Sequence, residues 1–118
     1  MMAKTILLAE DGKETQAVVR RILEGEGFAV QAVADGKEAV NALAAGTFHA
    51  AILDLGLPGV SGLEVLRHVR AEGMELPVIV ISGRQDHALQ ALGEGAQGYL
   101  VKPFSFEALQ EQIGRWVL

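Results

Sequence analysis

Glu10-Asp11, Asp54, Ser82 and Lys102 each stand at the end of a short apolar run: Ile6-Leu7-Leu8-Ala9, Ala51-Ile52-Leu53, Val78-Ile79-Val80-Ile81 and Tyr99-Leu100-Val101 respectively. If these runs are parallel strands, their carboxyl ends bring three acids, a hydroxyl and an ammonium into one crevice, the place where open α/β sheets bind ligands. A carboxylate such as Asp54 can attack phosphorus and form an acyl phosphate. Glu10 and Asp11 beside it concentrate negative charge, and two unit charges about 4 Å apart repel by roughly 4 kcal/mol at an effective dielectric of 20. A hard divalent cation relieves that repulsion, and oxygen ligands of this kind suit Mg2+. Lys102 offers a fixed positive charge and Ser82 a neutral donor to phosphoryl oxygens. Phosphoryl transfer asks the protein chiefly for such positioning and charge stabilisation. The five residues include no obvious general base to drive fast hydrolysis.

Each residue also has a plainer role open to it. Asp11 with Glu14 can cap a helix, Ser82 can be an ordinary strand-end hydroxyl, and Lys102 before Pro103 can be a solvated turn residue. Asp54 is harder to explain that way, because a carboxylate directly after Ala-Ala-Ile-Leu is expensive to bury without a partner. The coincidence at four strand ends favours chemistry. His49, His68 and His87 are isolated, without the spacing of a metal site.

The elements between these ends are legible from periodicity. Ala17, Val18, Val19, Ile22 and Leu23 recur at helical offsets, and Gly25 and Gly27 follow as a stop. Phe28 to Val33 alternates as a strand does. Asp35-Gly36-Lys37-Glu38 and Ser61 with Glu64 read as capping boxes, the first opening a helix through Ala45 and the second one carrying Leu63, Val65, Leu66 and Val69 to a core. Pro77 forces an extended entry into Val78–Ile81. A short helix is expected over Asp86 to Leu92, and a last one from about Ser105 with Leu109, Ile113, Trp116 and Val117 on one stripe. Strand and helix thus alternate throughout, which with continuous apolar strands implies a parallel sheet covered on both faces.

At 118 residues with a formal net charge of −5, the chain fits one domain and lacks the basic balance of a nucleic-acid binder. No apolar stretch approaches the roughly 20 residues needed to span a bilayer. Met1-Met2-Ala3-Lys4 leads straight into a strand-like run with no apolar h-region, so a cytoplasmic location is expected. The absence of cysteine excludes disulfides, thiolate metal sites and cysteine nucleophiles.

Taken together, Glu10-Asp11, Asp54 within Leu53-Asp54-Leu55-Gly56-Leu57-Pro58-Gly59, Ser82 and Lys102-Pro103-Phe104 resemble, in order, four motifs of the receiver domain of bacterial two-component response regulators. These are its acidic pair, phosphoacceptor, switch hydroxyl and lysine motif, and the resemblance covers essentially the whole chain. It implies a flavodoxin-like (βα)5 fold, doubly wound, with a five-stranded parallel sheet in the order 2-1-3-4-5, and one receiver domain over residues 1–118. It implies Mg2+ bound by Asp11, Asp54 and the carbonyl of Gly56, with Glu10 acting mostly through water. The amides of Gly56 and Gly83 are expected to contact phosphoryl oxygens, and the Lys102-Pro103 bond to be cis.

The same resemblance implies a function. A sensor histidine kinase or histidine phosphotransfer protein would phosphorylate Asp54, the domain assisting its own phosphorylation and dephosphorylation without being otherwise an enzyme. Ser82 would then move to the phosphoryl group and Tyr99 into the vacated space. The face of the fourth helix, fifth strand and fifth helix would change shape and control a protein partner, with no direct nucleic-acid or membrane contact, the domain being a monomer or a phosphorylation-dependent dimer. Kinase docking on the first helix and the loop after the fifth strand would involve Arg20, Arg21 and Phe104. Glu10, Ser82 and Gly83 are variants of the commonest residues, Gly56 and Arg84 occupy positions that tune dephosphorylation, and Gln97-Gly98 replaces the acidic pair of many DNA-binding regulators. Three alternatives stand beside this reading. One is a receiver cut from a hybrid kinase or transcription factor. A second is a degenerate, unphosphorylated binding module. The third is a haloacid-dehalogenase-like phosphatase, which wants an Asp where this chain has Gly56.

Overall fold

Alternating apolar side chains that must be buried on two opposite faces at once force a central sheet with helices on both sides. The computed structural model describes residues 3–118. Its elements are β1 (Thr5–Ala9), α1 (Lys13–Gly25), β2 (Ala29–Val33), α2 (Gly36–Ala45), β3 (Ala50–Asp54), α3 (Gly62–Ala71), β4 (Val78–Ser82), α4 (Gln85–Gly93), β5 (Gly98–Val101) and α5 (Phe106–Trp116). All strand pairs are parallel, as the alternation of elements implies, and the sheet order is β2-β1-β3-β4-β5, as the family resemblance implies. Met1-Met2, part of the amino-terminal reading, lies outside the described residues. Among the described residues no helix is long and apolar enough to cross a membrane.

The two cores divide by strand parity. Leu7, Ala9, Leu53, Val78 and Val80 pack with Ala39, Leu43, Val65, Leu66, Val69 and Ala91 from α2, α3 and α4. On the other face Ile6, Leu8, Ile52, Ile79 and Ile81 meet Val19 and Leu23 of α1 and Leu109 and Ile113 of α5. Every residue of β3 and β4 is buried. Edge strand β2 is not, which explains its alternating sequence.

The caps expected at Asp35, Ser61 and Ser105 all form, each side chain accepting a bond from the amide three residues on. Asp11 does not cap α1: the N-cap is Gly12, with no side-chain cap bond. Two apolar positions also differ from the periodic reading. Val18 is 58% exposed, because the buried stripe of α1 runs through Val19 and Leu23. Trp116 lies at the rim, 37% exposed, rather than on the buried stripe of Leu109, Ile113 and Val117. Its indole covers Gly98, where a Cβ would come within 2.6 Å of Nε1.

The loops leading into β4 and β5 are tied by a guanidinium that has no carboxylate partner among the described residues. Arg70, near the end of α3, donates to Gly95 O (2.9 and 3.0 Å), Met74 O (2.7 Å), Leu76 O (3.0 Å) and Gln97 Oε1 (2.9 Å). Gln97 Oε1 also accepts from the Val78 amide at 2.7 Å, so Gln97 is committed to joining β4 and β5. Arg67 adds a two-pronged ion pair to Glu94 at the end of α4. Replacing Arg70 with Met keeps the aliphatic packing but removes the guanidinium donor from three carbonyls and from Gln97 Oε1, which keeps only the Val78 amide. A loss of about 2 kcal/mol is expected for Arg70→Met, to be read from urea denaturation midpoints at unchanged slope.

Candidate functional site

Parallel strands all point the same way, so the residues that end β1, β3, β4 and β5 share one edge. The register sets Ser82 beside Val101, immediately before Lys102, and Lys102 N donates to Ser82 O at 2.8 Å. Lys102 Nζ then reaches across to lie 2.9 Å from Glu10 Oε1 and 3.0 Å from Asp54 Oδ2. One ammonium therefore serves two acids from strands β1 and β3, with β4 between β3 and the lysine's own strand.

The two acids are held by local amides as well. Gly12 N donates to Glu10 Oε2 at 2.9 Å, and Gly56 N donates to Asp54 Oδ1 at 2.9 Å. Glu10 has no exposed surface and Asp54 only 6%. Burial pushes the Glu10 carboxyl above its ordinary range; the Gly12 amide and Lys102 oppose this, while the neighbouring Asp54 adds to it. Burial would lower the Lys102 ammonium, but bonds to Glu10 and Asp54 and their charges outweigh it and raise the group above its ordinary value.

Asp54 is fixed from behind by the loop that follows it. Leu55 N continues the sheet ladder to Ile81 O at 2.8 Å, Leu57 is buried at 5% exposure, and Gly62 N returns to Leu55 O at 3.3 Å. Gly62 lies so close that a Cβ there would overlap the Asp54 carbonyl oxygen and come within 2.8 Å of the Leu55 Cα. Asp54 is thus clamped between the sheet and the first turn of α3.

Asp11 is exposed, and no hydrogen bond or ion pair engages its carboxylate among the described residues. One oxygen each from Glu10, Asp11 and Asp54 nevertheless fall within 4.8 Å of one another. This donor set fits the divalent cation that the chemistry calls for. The three ligands are hard carboxylate oxygens, matched to Mg2+ rather than to metals that prefer nitrogen or sulfur. Glu10 Oε1 is moreover buried with the Lys102 ammonium at 2.9 Å as its ion-pair partner and no amide or hydroxyl donor to it among the described residues.

The remaining expected residues fall around this centre. Ser82 is buried at 4% exposure, and its Oγ accepts from Arg84 N at 3.0 Å, leaving the hydroxyl proton free to donate. Gly56 and Gly83 are exposed at the crevice, and the Lys102-Pro103 bond is cis. Tyr99 is half-buried against the α2–α4 core, on β5. Arg84 turns to an exposed two-pronged pair with Asp86, whose carboxyl that pairing pulls down to about 2. His49 serves the backbone, its Nδ1 accepting from Thr5 N at 2.9 Å. Beside Lys102, an open groove of about 570 Å³ is lined by Glu14, Thr15, Val18, Val19, Pro103 and Phe104. Gln16 and Gly62 escaped the sequence reading, since neither type carries reactive chemistry; the helical start after Ser61 was the only signal near Gly62.

A family model described as the response regulator receiver domain matches residues 6–114. Response regulator protein PmrA of Pseudomonas aeruginosa is 41% identical over 110 residues, an alignment covering 92% of this chain and 50% of that protein. The receiver domain of the sensor histidine kinase PA1611 from Pseudomonas aeruginosa, solved with a magnesium ion in its active-site cleft, is similar at 32% identity. Its TM-score is 0.87, and 98% of each chain is covered. Response regulator TrrA of Thermotoga maritima, solved in complex with Mg2+ and BeF, gives a TM-score of 0.87 at 28% identity over 95% of this chain and 97% of that one. The chain spans about half the length of the curated relatives it matches.

Two outcomes follow from the geometry. Gly62→Ala overpacks the contact with Asp54 and is expected to lower stability by about 1–3 kcal/mol, measured by thermal unfolding. Lys102→Met leaves Glu10 and Asp54 without their shared cation. Its melting temperature should fall in metal-free buffer, and MgCl2 should raise it by more than it raises wild type.

Proposed function

The chain belongs to the response regulator receiver domain family, and from that membership we propose that it accepts a phosphoryl group on Asp54. The donor on this reading is the phosphohistidine of a sensor histidine kinase or histidine phosphotransfer protein. The observation that carries the assignment to Asp54 is Lys102 Nζ, 2.9 Å from Glu10 and 3.0 Å from Asp54, pairing a nearly buried carboxylate at the mouth of the sheet. A carboxylate oxygen of Asp54 forms the new P–O bond as the donor's P–N bond breaks, and the leaving imidazole nitrogen keeps the electron pair.

Asp11, Asp54 and the Gly56 carbonyl are the proposed ligands of Mg2+, with Glu10 behind them. When bound, the ion supplies positive charge to the transferring phosphoryl oxygens and offsets the carboxylates. Lys102 stabilises one phosphoryl oxygen, Ser82 donates its hydroxyl proton to another, and the amides of Gly56 and Gly83 serve the rest. For Gly56 this means exchanging the Asp54 oxygen it now holds at 2.9 Å for a phosphoryl oxygen. Movement of Ser82 and Tyr99 then alters the α4-β5-α5 face and with it affinity for a protein partner, to the extent that the phosphate binds the two states differently.

The proposed donor docks over the groove between α1 and the loop after β5, where Val18 and Phe104 provide an apolar surface, with Arg21 and Arg20 farther along the helix. Arg20 is already paired with Glu24 at 3.4 Å. A cytoplasmic setting and one receiver domain over residues 1–118, monomeric or dimerising on phosphorylation, complete the proposal. Because its curated relatives are about twice as long, a second reading places this sequence as the receiver portion of a longer regulator or hybrid kinase.

Intact mass after incubation with acetyl phosphate and MgCl2 tests the assignment. One added phosphoryl group is expected in wild type, and none in Asp54→Ala or in metal-free wild type. Absence of the adduct together with failure to bind beryllofluoride would turn the assignment toward an unphosphorylated binding module.

A further inference from the structure

Among the described residues Asp11 is the one acid of the cluster whose side chain nothing holds, so its direction is set by the backbone it stands on. That backbone is pinned by a side chain from the second turn of α1. Gln16 Nε2 donates to Glu10 O at 2.8 Å and to Val33 O at 3.1 Å, while Glu10 N donates to Val33 O at 3.1 Å. The carbonyl of Glu10 belongs to the peptide that joins Glu10 to Asp11. The Glu10 amide belongs to the preceding peptide, so β2 holds the Ala9-Glu10 peptide and α1, through Gln16, holds the carbonyl of the Glu10-Asp11 peptide; with both peptides anchored at Glu10, the Asp11 Cα is delivered at a set angle to the crevice.

The amide orientation of Gln16 is dictated by its partners. Both are carbonyl oxygens, which accept and cannot donate, so only the NH2 group can face them. Gln16 is half-buried and carries no charge, and its side-chain hydrogen bonds go to backbone carbonyls of Glu10 and Val33. It therefore has no part in bonding to a phosphoryl group.

We infer that Gln16 is a positioning residue for cation binding, setting the Glu10-Asp11 peptide so that Asp11 meets Asp54 around one Mg2+. The inference rests on the proposed Mg2+ site. Loss of an outer-shell partner of this kind lowers metal affinity by about tenfold or more. Once the ion is in place, the phosphoryl chemistry at Asp54 is untouched.

Calorimetric titration of the protein with MgCl2 tests this, using wild type, Asp11→Asn, and two neutral variants, Gln16→Met, which keeps the volume, and Gln16→Asn, which shortens the reach. In both Gln16 variants the dissociation constant for Mg2+ is expected to rise about tenfold. Their acetyl phosphate reaction rate at saturating Mg2+ should stay within about twofold of wild type, a split that simple loss of stability does not produce. An unchanged dissociation constant in either folded variant, with Asp11→Asn still abolishing binding, overturns the role of Gln16 alone. If wild type itself takes up no Mg2+, the proposed ion site fails and this inference with it.

Discussion

A single ammonium between two acids is the constraint around which the molecule is built. Buried or nearly buried carboxylates repel each other and lose hydration, and removing the partner of such a group leaves an uncompensated charge. Lys102 satisfies Glu10 and Asp54 together only if the ends of β1, β3 and β5 arrive at one edge in register. The parallel sheet provides that, and β4 fills the space between β3 and β5 with a strand that is buried throughout. The polar residues also stop the strands, because none of them can continue into the apolar layers beneath α1 and α5 or α2, α3 and α4.

The same cluster is a store of unfavourable free energy kept for binding. Glu10 is held where burial disfavours its charged form, and its Oε1 depends on the Lys102 ammonium alone among the described residues. Asp54 is clamped by Gly62, Leu57 and the ladder bond from Leu55 so that it cannot swing away from its neighbours. A fold selected for stability alone would put amides or apolar groups here. Rigid positioning of repelling acids has a use only if something positive or electrophilic comes to them, which is why the geometry and the family membership lead to the same reading.

The sequence disclosed most of this because its signals are local. Strand ends, proline entries and capping pairs such as Ser61 with Glu64 depend on residues within a few positions of each other, and those elements appear where the pattern puts them. Features fixed by distant neighbours were illegible. Val18 has the spacing of a core residue but faces outward, since the width of the buried stripe on α1 is decided by β1 and α5. Trp116 is held to the rim by the absence of a side chain at Gly98, eighteen positions earlier and on another element. Arg70 and Gln16 look like ordinary helix-surface residues, and only the tertiary structure shows that both donate to backbone carbonyls of other elements. Asp11 has two roles open to it by type, and the plainer one, capping α1, is not the one it takes, because Gly12 occupies the cap.

These long-range ties also distribute stiffness unevenly around α4, the helix next to Ser82. Its carboxyl end is fastened to α3 twice, through Arg67 with Glu94 and through Arg70 with the Gly95 carbonyl. Its amino end has no side-chain cap, and the nearby ion pair of Arg84 with Asp86 is exposed and contributes little. What ties that end to the site is the Arg84 amide, 3.0 Å from Ser82 Oγ. If Ser82 turns toward a phosphoryl group, it withdraws the side-chain acceptor of the Arg84 amide at the loosely held end while the far end stays anchored. On the proposed switch, α4 would pivot about its carboxyl terminus rather than translate as a whole, because moving the anchored end would cost the ties of Arg67 and Arg70.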